Sequence, residues 1–183
     1  MAVLDQRANA VLLAVDLLLV VGLAVFAFAT FPTLPDRYPV HFGFSGQPDR
    51  WAAGNSPEWF LLLGVAVVFN AILLAVGLSL HRIDPRWINV PRKAQFLELP
   101  RERQLAILAG VTTMVLALAA MFDLVLGGLY AMLYATAIGA LASPPFWPLV
   151  LPIGLVLVVL ILWTVHLGRA VRRATETAHR TGS

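Results

Sequence analysis

The chain contains no cysteine, which excludes disulfides, thiolate metal sites and cysteine nucleophiles and leaves the redox compartment open. Charge is also scarce. Only 13% of its 183 residues are Asp, Glu, Lys or Arg, while 60% are hydrophobic, and the mean hydropathy is +0.82. A water-soluble globule needs far more charge than this to cover its surface, so the composition predicts a membrane protein. No internal repeat, heptad pattern, glycine-rich phosphate loop, His-Glu-x-x-His pattern or serine elbow occurs. The common soluble catalytic motifs therefore have no foothold, and neither a catalytic residue nor a cofactor is assigned. A formal charge of +3 and an isoelectric point near 10.0 could suggest nucleic acid. The basic residues, however, cluster beside apolar runs, where they read as topology signals, and nucleic acid is set aside.

What the chain does have is apolar length. A helix needs ~20 apolar residues to cross ~30 Å of hydrocarbon, and four segments approach or exceed that: about 8–31, 59–80, 104–138 and 147–167. They leave little room for separate soluble domains, so residues 1–183 are read as one membrane domain. In the first segment, Ala27 to Ala29 imitates a signal-peptidase site, but the run exceeds the usual ~7–15-residue signal core and suits an uncleaved anchor better. The third segment is ambiguous, because no basic residue interrupts Gln104 to Ala142. Either one helix crosses and continues to the outer surface, or Gly127 and Gly128 turn the chain back as a second short span.

Charge distribution separates these readings. With four spans, Arg7, the segment 81–103 (six basic residues against three acids) and the tail 168–183, with four basic residues against one acid, share one side. The positive-inside rule makes that side the cytoplasm. A fifth span would export Arg169, Arg172 and Arg173. The expectation is therefore an all-α, four-helix protein of the cell membrane with both termini cytoplasmic and an outer loop at 32–58. Trp59, Trp87 and Trp147 are expected to mark interfaces, as are Phe42, Phe44 and Trp51. Arg82, Arg86, Arg92 and Lys93 would attract anionic lipid headgroups, and a homo-oligomer is compatible with these features.

The outer loop is where chemistry concentrates. Prolines at 32, 35, 39, 48 and 57 forbid a continuous helix, "YPVHFGF" alternates as a short strand does, and "SGQPD" supplies turn residues. A small ordered hairpin or compact loop is expected. The stretch "LPDRYPVHFGFSGQPDRW", Leu34 to Trp51, resembles the signature between the first two helices of bacterial SdpI-type immunity and signal-sensing membrane proteins. These carry a domain of unknown function (1648). "INVPRKAQFLELP", Ile88 to Pro100, is similar to the Asn-x-Pro-Arg segment that such proteins place after the second helix. The resemblance covers roughly the first hundred residues. It implies the membrane architecture, importance for Pro35, Pro39, His41, Gly46, Pro48 and Asp49 and for Asn89, Pro91 and Arg92, and an immunity or sensing role.

Two groups of polar residues are candidate sites. In the loop, Asp36, Arg37, His41, Asp49 and Arg50 could bind an extracytoplasmic peptide or small ligand, and Arg37 and Arg50 favour an anionic guest. His41, Asp36 and Asp49 form a permissible Zn²⁺ ligand set if the hairpin brings them together; the alternative is turn capping and backbone hydrogen bonding. Within the spans, Asp16 lies where an ionised carboxylate costs at least ~2.5 kcal/mol, so it needs a partner. Counting ~1.5 Å per residue from the cytoplasmic ends puts Asp16, Asn70, Thr112 and Thr113 at one depth, as a relay or as a packing cluster. The same count carries Asp123 towards the outer surface, where it could meet Arg37, His41 or Arg50 and draw the loop down as a lid, or simply sit exposed. The functional expectation is binding, sensing or immunity towards an extracytoplasmic ligand; the alternative is a small proton-coupled carrier using Asp16 and Asp123.

Overall fold

A computed structural model describes residues 2–43, 46–142 and 147–181. Phe44, residues 143–146 and the side chain of Trp147 lie outside the described residues. Helix α1 runs Ala2–Thr30 and yields to a single 3-10 turn at Phe31–Thr33, where Pro32 cannot donate the next helical hydrogen bond. Strands β1 (Arg37–Phe42) and β2 (Pro48–Ala53) pair antiparallel as a two-stranded sheet. A 3-10 turn at Pro57–Phe60, its Glu58 amide donating to the Ser56 hydroxyl, leads into α2, Leu61–Ser79. After the short α3 (Lys93–Glu98) come α4 (Arg101–Ala137) and α5 (Trp147–Thr181).

Among the described residues, four helices are long and apolar enough to cross a membrane. α4 is the central post, packed against α1, α2, α5 and strand β1. It passes through Gly127 and Gly128 without turning. Gly127 faces Leu23 of α1, which a Cβ there would meet at an ordinary contact distance of 3.6 Å, so this glycine sits in the helix packing rather than in a reversal. The turn comes later, where Gly139 adopts φ +77 and caps the helix by donating to Thr136 O. Large apolar side chains face outward in numbers that water does not tolerate, among them Leu18 (70% exposed), Phe28, Leu61, Leu151 and Leu162.

Two boundaries differ from the sequence reading. Residues 168–181, read from the sequence as a tail beyond the fourth helix, belong to α5, which continues to Thr181. Arg172 and Glu176 pair one turn apart at 3.7 Å, and Leu167 and Val171 pack with Phe96, Leu99 and Leu108 at the end remote from the hairpin. Apolar length measures how far a helix stays greasy, not how far it stays helical. The segment 81–103 likewise folds into structure, with Asp84 capping a turn at Pro85–Trp87 and Arg92, at φ 58, turning the chain into α3. A Cβ added to Gly168 of α5 would lie 3.5 Å from the Pro91 ring, and Asn89 is exposed.

Candidate functional site

The hairpin is built by its turn residues and then seated by aromatics. Gly46 adopts φ +76 and donates to Gly43 O, while Gly43 N donates to Gln47 O. A second glycine is required at its base. Gly54 N donates to Asp36 O at 2.8 Å, and a Cβ there would lie 2.2 Å from Pro35 O, closer than any side chain permits. The register pairs Arg37 with Ala53, Tyr38 with Ala52, Pro39 with Trp51, His41 with Arg50 and Phe42 with Pro48, with irregularities on either side of His41. Tyr38 and Pro39 are thereby turned into the bundle and fully buried, whereas Arg37, His41, Asp49 and Arg50 stay exposed.

Underneath, Trp59 is the seat. It is 1% exposed, stands edge-on to Tyr38 (5.5 Å, 89°) and Tyr130 (5.2 Å, 66°), and donates from Nε1 to Ala27 O at 3.0 Å. The Tyr130 hydroxyl donates to the Trp59 carbonyl, and Phe26 completes the group against Tyr130. One residue expected at a lipid interface is therefore a core residue. Its indole finds a carbonyl and the rings of Tyr38, Tyr130 and Tyr134 inside the protein, a better environment than a headgroup layer offers. Burial pushes the Tyr38 phenol up from its ordinary pKa, and the neighbouring Glu58 charge pushes it further.

The hairpin's outward groups pair among themselves. His41 Nδ1 lies 2.5 Å from Asp49 Oδ1, and Arg50 Nη2 donates to Glu58 Oε2 at 3.1 Å. Among the described residues no group of three His, Asp or Glu side chains could hold a metal ion, so Asp36 does not complete a Zn²⁺ set with His41 and Asp49. The strand ladder explains this: Asp36 lies beside Gly54 at the hairpin base, and the other two lie near its tip. Beside the hairpin base, a shallow apolar groove descends α2 from Pro57 and Glu58 along Phe60, Gly64, Val68 and Phe69.

Asp123 does not meet the hairpin's Arg37, His41 or Arg50. It is 1% exposed and accepts from Asn70 Nδ2 at 2.8 Å. Asp16 reaches the same place, its carboxyl close enough to that of Asp123 for a hydrogen bond between the two side chains. The expected lid contact fails because α4 is 37 residues long, about 55 Å at ~1.5 Å per residue. It starts beyond the end of α2, since Thr112, eleven residues into α4, already meets Gly77 two residues from the α2 terminus, so distance from its first residues overstates depth.

The expected layer with the threonines is divided for the same reason. Thr112 Oγ1 donates to Gly77 O (3.3 Å), and Thr113 Oγ1 to Asn9 Oδ1 (2.7 Å), one level farther from the hairpin. Asp16, Asn70 and Asp123 form their own layer, between one apolar cluster under the hairpin and another at the opposite end. From the sequence, no role is expected of Tyr38 or Gly54, and Tyr130 and Tyr134 are expected near the interface, whereas Tyr130 is fully buried. The alternation of "YPVHF" was the available signal for Tyr38, and the four-residue spacing of Tyr130 and Tyr134 placed both on one helix face.

Residues 17–69 match a family model described as a domain of unknown function (DUF1648). An uncharacterised protein of Archaeoglobus fulgidus is 32% identical over 83 residues, 44% of each chain, so this chain spans less than half of that relative's length. No solved structure matches. The family match begins one residue after Asp16 and ends one residue before Asn70, so it contains the hairpin and Trp59 but none of the three residues of the polar layer. Over the hairpin and its flanking helices, then, the chain is similar to a family of unassigned biochemistry.

Proposed function

We propose that this chain is a multi-pass membrane protein, with both termini in the cytoplasm and the hairpin outside, that binds an extracytoplasmic amphipathic peptide. The observation that carries the reading is the seated hairpin. Tyr38 and Trp59 fix it on the bundle while His41, Asp49, Arg50 and Glu58 remain at the surface. An isolated two-stranded hairpin is marginal in water, and one anchored this firmly presents its polar groups with little ordering left to do on binding. The apolar groove starts at Glu58, the partner of Arg50. A guest with one charged and one apolar face would find both complements side by side. Sequestering such a peptide would serve immunity, and registering its presence would serve sensing.

The test uses the full-length protein in nanodiscs and a fluorescent synthetic Leu/Lys amphipathic peptide. Saturable binding above that of empty nanodiscs is expected. Asp49→Asn and Glu58→Gln, which remove the negative charges that the peptide's lysines would meet, should weaken it about tenfold each, equivalent to ~1.4 kcal/mol, with the thermal unfolding midpoint unchanged because both acids belong to surface pairs. Binding no greater than that of empty nanodiscs, together with unaltered growth of cells challenged by the same peptide with and without the protein, would refute the reading.

A further inference from the structure

Asp16, Asn70 and Asp123 come from three helices and are 5%, 9% and 1% exposed. Both amide protons of Asn70 are already committed, one to Ala66 O at 3.0 Å and one to Asp123 Oδ1 at 2.8 Å. What remains is lone pairs. Asp16 Oδ1, Asn70 Oδ1 and Asp123 Oδ2 are buried with no hydrogen-bond partner among the described residues. No basic side chain answers them, for the ion pairs among the described residues involve His41, Arg50 and Arg172. Farther along α4, Thr112 and Thr113 spend their hydroxyls on Gly77, Asn9 and their own helix.

A packing cluster would satisfy itself, as polar side chains between helices ordinarily do. This one holds two acids and an amide oxygen, all acceptors, and lacks positive charge. Such a set is complementary to a small cation. The three unpartnered oxygens are fewer than the about six to eight that Ca²⁺ takes, and Mg²⁺ dehydrates reluctantly and keeps several waters, which an apolar bundle interior disfavours. We propose that Asp16, Asn70 and Asp123 form a binding site for a small monovalent cation inside the bundle, either a proton held between the two carboxyls or a sodium ion shared by the three unpartnered oxygens. Asn70 orients the Asp123 carboxyl through its amide, leaving the other oxygen free to bind. The site is independent of the hairpin's guest and shares with the proposed function only the membrane setting. It is also the site that the carrier reading of the sequence would require.

The full-length protein in nanodiscs distinguishes the two ions. If sodium is the guest, replacing choline chloride by sodium chloride at constant ionic strength raises the unfolding midpoint with the logarithm of sodium concentration, and radioactive sodium binds at one ion per chain. If the proton is the guest, sodium has no effect. Infrared spectra then show the C=O stretch of a protonated carboxylic acid, lost in both Asp16→Asn and Asp123→Asn. Thr113→Val, one level away, should leave either signal in place. Either signal, removed by the Asp variants, supports the site. The wild-type measurements decide the matter even if a variant does not fold. Wild-type protein with no sodium dependence and no protonated carboxyl band would overturn the proposal.

Discussion

Replacing Trp59 by alanine should release the hairpin while leaving the far end of the bundle folded. The ring is 1% exposed, lies within 5.5 Å of Tyr38 and 5.2 Å of Tyr130 between ring centres, and bonds Ala27 O. Truncating a buried Trp to Ala costs ~3–5 kcal/mol, most of it lost transfer energy and the cavity left behind. The hydrogen bond contributes about 0.5–1.5 kcal/mol of that. A lone hairpin has almost no stability of its own to set against such a loss, so the seat should open rather than repack. At about 1.4 kcal/mol per factor of ten, amides between Arg37 and Ala53 should exchange with solvent on the order of 10²–10³-fold faster. Hydrogen–deuterium exchange with mass spectrometry in nanodiscs reads this directly, with the Phe96, Leu108 and Val171 cluster as an internal control. Tyr130→Phe removes only the hydroxyl donated to the Trp59 carbonyl and should give a smaller acceleration, roughly tenfold or less, for a single hydrogen bond. Hairpin protection unchanged in Trp59→Ala, or lost equally at both ends of the bundle, would refute the seating argument.

Three further outcomes are expected. Gly54→Ala should open the same hairpin, because its new methyl would stand 2.2 Å from Pro35 O, whereas Gly46→Ala, with open space around it, should cost only the ~1–2 kcal/mol of a left-handed backbone; equal exchange rates in the two variants would contradict the clash. Tyr38 should ionise above its ordinary range near 10 because it is buried and lies near Glu58. The folded state then keeps a proton the unfolded chain has lost, so hairpin stability is intact below about pH 10 and falls as pH rises past it. Phenolate absorbance of the wild type minus Tyr38→Phe checks the shift, and a Tyr38 titration at the ordinary value would dismiss it. Finally, because the chain has no cysteine, single-cysteine labelling is straightforward. Gln47→Cys should react with an impermeant maleimide in intact cells and Glu176→Cys only after permeabilisation, and the reverse pattern would invert the proposed topology.

The amino-acid sequence by itself determined the helix number and the hairpin. Four apolar runs of spanning length and a proline- and glycine-punctuated connection are one-dimensional signals, legible because hydrocarbon thickness and proline stereochemistry act on consecutive residues. It also singled out Asp16, Asn70 and Asp123, since an acid or amide in an apolar run is conspicuous wherever it lies. Which of these residues meet was decided only by tertiary structure. Depth counted along one helix assumes that all helices begin at one plane, and α4 begins beyond the end of α2, Thr112 meeting Gly77 close to that end, so Asp123 joined Asp16 and Asn70 rather than the hairpin. Trp59 left the interface for the core for a related reason: periodicity assigns a side chain to a face, but only the packed arrangement puts the Ala27 carbonyl, Tyr38 and Tyr130 around it. Contacts between residues dozens of positions apart depend on the relative shift of whole helices, a quantity that no short stretch of chain contains.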